Sequence, residues 1–139
     1  MPNEKPENLN SSALVNAINR LRVTIENRSF FREDWHEIGT AGEPAFQNSW
    51  VNYDSGANTQ AGFMKDALGY VRLKGLVKSG TIGQIIFTLP TGYRPPANIN
   101  FSTVSNGAFA CGYIGSNGNI YPNTGNNAYW SIENLSYKV

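Results

Sequence analysis

The tightest constraint on the fold is the spacing of turn signals between Phe46 and Val139, which leaves room only for short strands. DSGAN (54–58), KSGTIG (78–83), PTGYRPP (90–96), SNG at 105–107 and again at 116–118, and PNTGNN (122–127) interrupt the chain every 8–14 residues. Between them QNSWVNY, GYVRLKGLVK, GQIIFTL, NINFSTV, AFACGYI, GNIY and YWSIENLSYKV read as strands with period-two alternation. Asn106-Gly107 and Asn117-Gly118 are strong hairpin signals, because both residue types tolerate positive φ. Seven or so short antiparallel strands at this spacing predict an all-β sandwich or barrel.

The same alternation assigns faces. Val71 and Leu73 point opposite to Arg72 and Lys74, while Ile85, Phe87 and Leu89 share a face. So do Ile99 and Phe101, and so do Phe109, Cys111 and Tyr113. The last run breaks phase, with Trp130 and Ile132 on one side and Leu135, Tyr137 and Val139 on the other. A bulge or bend is therefore expected at 133–134. Cys111 is the single cysteine, which excludes an intrachain disulfide and a thiolate metal cage, and it reads as a small buried hydrophobe.

Ahead of this region the period differs. Residues 1–10 are polar and Pro-containing, and are expected to be a disordered linker. SSALVNAINRLRVTIEN (11–27) opens a helical segment expected over 11–28, with Leu14, Ile18, Leu21 and Ile25 spaced four, three and four apart, the seam of a coiled coil. Such a helix is too short to stand alone in water, so the stripe packs either on its own domain or on copies of itself; little else before Asp34 could cover it, which favours self-association through those four residues. Ile at a with Leu at d leans toward two strands. Residues 29–45, mixing charge, aromatics and Gly/Pro, read as a neck, and 46–139 as the head.

The composition restricts the chemistry. Charged residues make up 15% of the chain and its net charge is +1, so nothing steers it to nucleic acid. No window approaches the roughly 18 apolar residues of a membrane span, and the N-terminus lacks a signal peptide's basic start and apolar stretch. His36 is the sole histidine, which excludes two-histidine metal sites, and no phosphate-binding glycine motif is present. The head offers only Asp54, Asp66 and Glu133 as acids, too scattered for a glycosidase pair. No enzyme activity, cofactor or metal is expected. A binding surface is expected instead, on loops carrying Tyr113, Asn117, Asn119, Tyr121, Asn123, Asn126, Asn127, Tyr129 and Trp130. Amides there offer paired donors and acceptors, and aromatic faces stack on sugar C–H groups.

Phe63, Lys65-Asp66, Gly69, Val71, Leu73 and Gly75, followed by Leu89-Pro90 and Gly92-Tyr93-Arg94-Pro95, form a pattern that resembles the C-terminal head domain of phage tail fibres and minor tail proteins. The FQNSW segment (46–50) and the terminal 130–139 strand also look like that family, and the resemblance covers roughly residues 44–139. It implies a jelly-roll-like antiparallel β-sandwich, trimeric, at the tip of a virion appendage, adsorbing to host-surface polysaccharide or another receptor. Other virion tail proteins are its implied neighbours. The alternative is a purely structural decoration or assembly subunit. Within the motif Pro90 and Pro95 are expected to fix φ, Gly92 to permit an awkward turn, and Arg94 to anchor a carboxylate or carbonyls.

Overall fold

The computed structural model describes residues 11–25 and 33–139. The expected linker at 1–10, the end of the stem at 26–28, the first part of the neck at 29–32 and the Ile25 side chain lie outside the described residues. The chain divides into two units, Met1–Arg32 and Glu33–Val139.

The first unit carries helix α1 (Ser11–Ile25), which matches the expected helical segment over its described length. Its seam residues are exposed, Leu14 at 53%, Ile18 at 49% and Leu21 at 61%. No helix among the described residues is long and apolar enough to cross a membrane.

The second unit is an all-β sandwich. Its strands are β1 (His36–Glu37), β2 (Val51–Asn52), β3 (Gly62–Lys65), β4 (Tyr70–Lys74), β5 (Leu76–Lys78), β6 (Ile99–Ser105), β7 (Ala108–Ile114), β8 (Ile120–Pro122), β9 (Trp130–Ser131) and β10 (Ser136–Lys138). They form a four-stranded sheet ordered β1-β3-β4-β10 and a six-stranded sheet ordered β2-β5-β9-β6-β7-β8. All the strand pairs are antiparallel. The core between the sheets is built on Trp50, Trp130, Phe63, Phe87, Leu73, Ile114, Ile120 and Ile132. Burying such side chains is the main favourable term in folding, at about 1.5–3 kcal/mol for each fully buried aliphatic or Phe side chain.

The chain crosses between the sheets four times, β1–β2, β2–β3, β4–β5 and β9–β10, and the last two crossings lie side by side. The run read as one strand at 69–78 is two, because the chain passes from β4 to β5 through Gly75 at φ +128. The expected break at 133–134 is the last crossing, from β9 to β10, with Asn134 at φ +63. Ile132 N–H donates to Gly75 O at 2.9 Å, and Gly75 N–H donates to the Glu133 carboxylate at 3.0 Å. Glu133 is thus committed to holding these two crossings together.

Three expectations change. Residues 84–89 form no regular strand, since Ile86 N–H bonds Ile120 O and Leu89 N–H bonds Gly118 O around an isolated bridge at Thr88–Asn119. Ile86 and Phe87 are both fully buried, whereas Ile85 is half-buried, so alternation fails there. The described part of the neck, from Glu33, belongs to the head. It supplies edge strand β1 and the buried Ile38. His36 locks that segment down: Nδ1 lies 2.8 Å from Glu43, its ring stacks on Phe63 at 4.7 Å, and Nε2 lies 3.3 Å from the Tyr93 hydroxyl. Third, Cys111 is half-buried on an outward strand face rather than in the core.

The proline-glycine motif behaves as expected of a structural element. Gly92 has φ +99, and Arg94 Nε donates to Leu89 O at 2.8 Å. Tyr93 donates its hydroxyl to Glu33 at 2.8 Å, and burial followed by the Glu33 charge pushes that phenol up to about 12.

Candidate ligand-binding face

The β6–β7 hairpin turns through Asn106 (φ +47) and Gly107 (φ +78), a two-residue turn that fixes register with Ser105 opposite Ala108. Five residues further along β7 that register sets Asn100 opposite Tyr113, and β8 then sets Tyr121 opposite Tyr113. Ala110, Gly112 and Ile114 alternate inward and are buried, so Phe109, Cys111 and Tyr113 point outward. At the middle of β7 no side chain fits within. A Cβ on Gly112 would lie 2.5 Å from the Trp130 ring and 2.8 Å from Phe101.

Tyr113 and Tyr121 stack with ring centroids 4.5 Å apart and planes 15° from parallel. A relay of hydrogen bonds reaches this pair. Gln47 Nε2 donates to Thr88 Oγ1 at 2.9 Å, Thr88 donates to Asn119 Oδ1 at 2.7 Å, and Asn119 Nδ2 donates to the Tyr121 hydroxyl at 3.2 Å. Burial, then the neighbouring Tyr121, raises Tyr113 above the usual phenol range, so it stays a neutral donor at physiological pH. The surrounding stretch is uncharged: residues 95–132 contain no Asp, Glu, Lys, Arg or His. The result is a fixed aromatic pair flanked by amides and hydroxyls on a rigid sheet, suited to a neutral, hydroxyl-rich ligand.

The expected loop set therefore divides. Tyr113, Asn119 and Tyr121 come together. Asn117 and Asn126 fold their side chains onto the backbone of their own turns, accepting from Asn119 N–H at 3.0 Å and Ala128 N–H at 2.6 Å. Asn127 donates to Gly80 O at 2.9 Å. Tyr129 packs edge-on against Tyr53 at 5.9 Å, and Asn123 is exposed. Trp130 must be withdrawn from the set. It is 0% exposed and its indole N–H donates to Thr124 O at 2.9 Å inside the fold. Asn100, Thr88 and Gln47 were missed. Asn100 was legible from the Asn-Gly turn, whereas Thr88 and Gln47 sit where no regular pairing signals them.

The head's acids serve its backbone. Asp54 accepts from Gly56 N–H and Asn58 N–H, both at 3.0 Å, and from the Asn58 side chain. Those bonds, Asn58's first, hold its carboxyl down to about 2, from an ordinary 3.8. A depressed carboxylate supports its loop above the ordinary value and loses that support as pH falls through the depressed one. A carbon-detected NMR titration should therefore place the Asp54 midpoint near 2, with the 54–60 loop intact at pH 4. Asp66 accepts from Leu68 and Tyr70 N–H and pairs with Arg72 at 3.0 Å. A concavity of about 380 Å³, lined by Trp35, Arg72, Lys74 and Leu135 among others, lies on the four-stranded sheet. Its cations are already paired, Arg72 with Asp66 and Lys74 with Glu37. No cluster of His, Cys, Asp or Glu that would hold a metal occurs among the described residues.

No family model and no curated protein matches the sequence. Among solved structures the chain is similar to the receptor binding protein (gp15) of Listeria phage PSA, at 19% identity and a TM-score of 0.69. The match covers 97% of this chain and 80% of that one. The helix-bearing β-sandwich described above is thus a fold that this chain shares with a phage receptor binding protein.

Proposed function

We propose that this chain is a non-enzymatic tip module of a phage tail fibre or tail appendage that binds a host-surface receptor, a cell-wall polysaccharide, as a homotrimer. The observation that carries this reading is the fold shared along nearly the whole chain with a phage receptor binding protein. The receptor site is the Tyr113–Tyr121 pair with Asn119 and Asn100, where aromatic faces cover sugar C–H groups and amides meet hydroxyls. The oligomer is held at the stem by Leu14, Ile18, Leu21 and Ile25, and three shallow sites gain by avidity what each lacks in affinity. The module resides in the virion beside other tail proteins, with no cofactor, metal or nucleic acid.

Labelled full-length protein, applied to a panel of purified, protein-free bacterial cell-wall polysaccharides, should bind at least one of them without releasing reducing sugar. Tyr121→Ala should weaken that binding about tenfold or more, the scale of losing one buried aromatic anchor. Binding to none of them, or sugar release, would overturn the reading.

A further inference from the structure

One end of the outward β6–β7 face does not suit a glycan. Val104 and Phe109 are cross-strand partners beside the hairpin turn, and they are 49% and 72% exposed. Neither side chain offers a hydrogen-bonding group, so sugar hydroxyls laid there would lose water without gaining a partner. We propose that Val104 and Phe109 form the head-to-head contact between copies of this chain. The inference rests on the oligomer of the proposed function and assigns the head surface where its copies meet.

Three observations select a second copy as the occupant. The face lies within the uncharged stretch 95–132, so identical faces can approach without like-charge repulsion. Helix α1 has 15 residues and exposes Leu14, Ile18 and Leu21, a combination that calls for other helices of the same kind. Copies joined there hold their heads at high effective concentration. The patch is also small. An aromatic side chain buries about 150–250 Å², against the roughly 800 Å² per partner of a free-standing interface. It cannot recruit an untethered protein, but it can orient heads that are already tethered.

Hydroxyl-radical footprinting of the full chain, read by mass spectrometry, tests this, with Leu68 as reference. Leu68 is 74% exposed in the turn after β3, on the other sheet. In the oligomer, Phe109 should be oxidised about fivefold more slowly than Leu68 after correction for intrinsic reactivity, as cover over most of the ring requires. The difference should vanish in a Leu14→Asp, Ile18→Asp, Leu21→Asp chain that sediments as a monomer. Phe109→Asp, a surface change that leaves the core intact, should move the dissociation midpoint to about tenfold higher protein concentration. A full-length oligomer whose Phe109 reacts as fast as Leu68, or whose midpoint ignores Phe109→Asp, overturns the assigned contact and leaves receptor binding standing. A full chain that sediments as a monomer overturns both the contact and the trimer.

Discussion

Trp130→Ala is expected to lower the unfolding free energy of the head by about 3–5 kcal/mol, the cost of emptying a large aromatic site in a packed core. Domains of this size have only about 5–15 kcal/mol to lose. The indole is fully buried, meets Phe101 edge-on at 5.7 Å, and closes the 124–130 loop through its bond to Thr124 O. Urea denaturation at fixed protein concentration, followed by the fluorescence of Trp35 and Trp50, measures the loss. Phe109→Ala is the companion measurement, because it removes an equally conspicuous aromatic that is 72% exposed. In the Leu14→Asp, Ile18→Asp, Leu21→Asp background, where association does not contribute, its stability should change by no more than about 0.5 kcal/mol. Were Trp130→Ala to unfold at the wild-type midpoint, the ring would not be a core element and its place on the ligand face would have to be reopened.

Gly75→Ala should be nearly as damaging, for a different reason. At φ +128 the backbone is in a region that side chains rarely adopt, and a Cβ there would lie 2.5 Å from Ala61 Cα and 2.8 Å from Ala61 N. Strain of about 1–3 kcal/mol adds to an overpacking cost of about 1–3 kcal/mol. Because Gly75 is bonded to Ile132 and Glu133, any shift that relieves the clash also disturbs the β9–β10 crossing. Gly42→Ala separates the two contributions. Gly42 has φ +84 but nothing within 4 Å of its would-be Cβ, so only the conformational cost remains. Equal destabilisation of both variants in chemical denaturation would show that the close approach at Ala61 contributes nothing.

Much of this head was legible in the residues, and the exceptions share a cause. Strands β4, β6 and β7 follow their alternation, and the Asn106-Gly107 turn fixes the β6–β7 register to the residue. The phase break after Ile132 announced a change of direction. That it is a passage between sheets follows only from the partners found by β9 and β10. Segment 84–89 misled because its apolar residues satisfy a strand pattern, while the hydrogen bonds from Ile86 and Leu89 belong to an irregular edge. Cys111 misled because an apolar alternation does not say which side is inside. The decisive neighbour is Gly112, kept small by the Trp130 and Phe101 rings arriving from elsewhere in the chain. In the ligand set, amides of Asn117, Asn126 and Asn127 proved to be turn scaffolding, the other use of such residues in loops.

The inversion on β7 sets which letters of this gene are free to change. Positions 100, 102 and 104 of β6, 109, 111 and 113 of β7, and 121 of β8 project away from the core, while their immediate neighbours hold it. A substitution at any one of the first group changes the outer surface and leaves the packed core as it is. Single substitutions can therefore rewrite that outer surface one position at a time, each carried by a head whose core is unchanged.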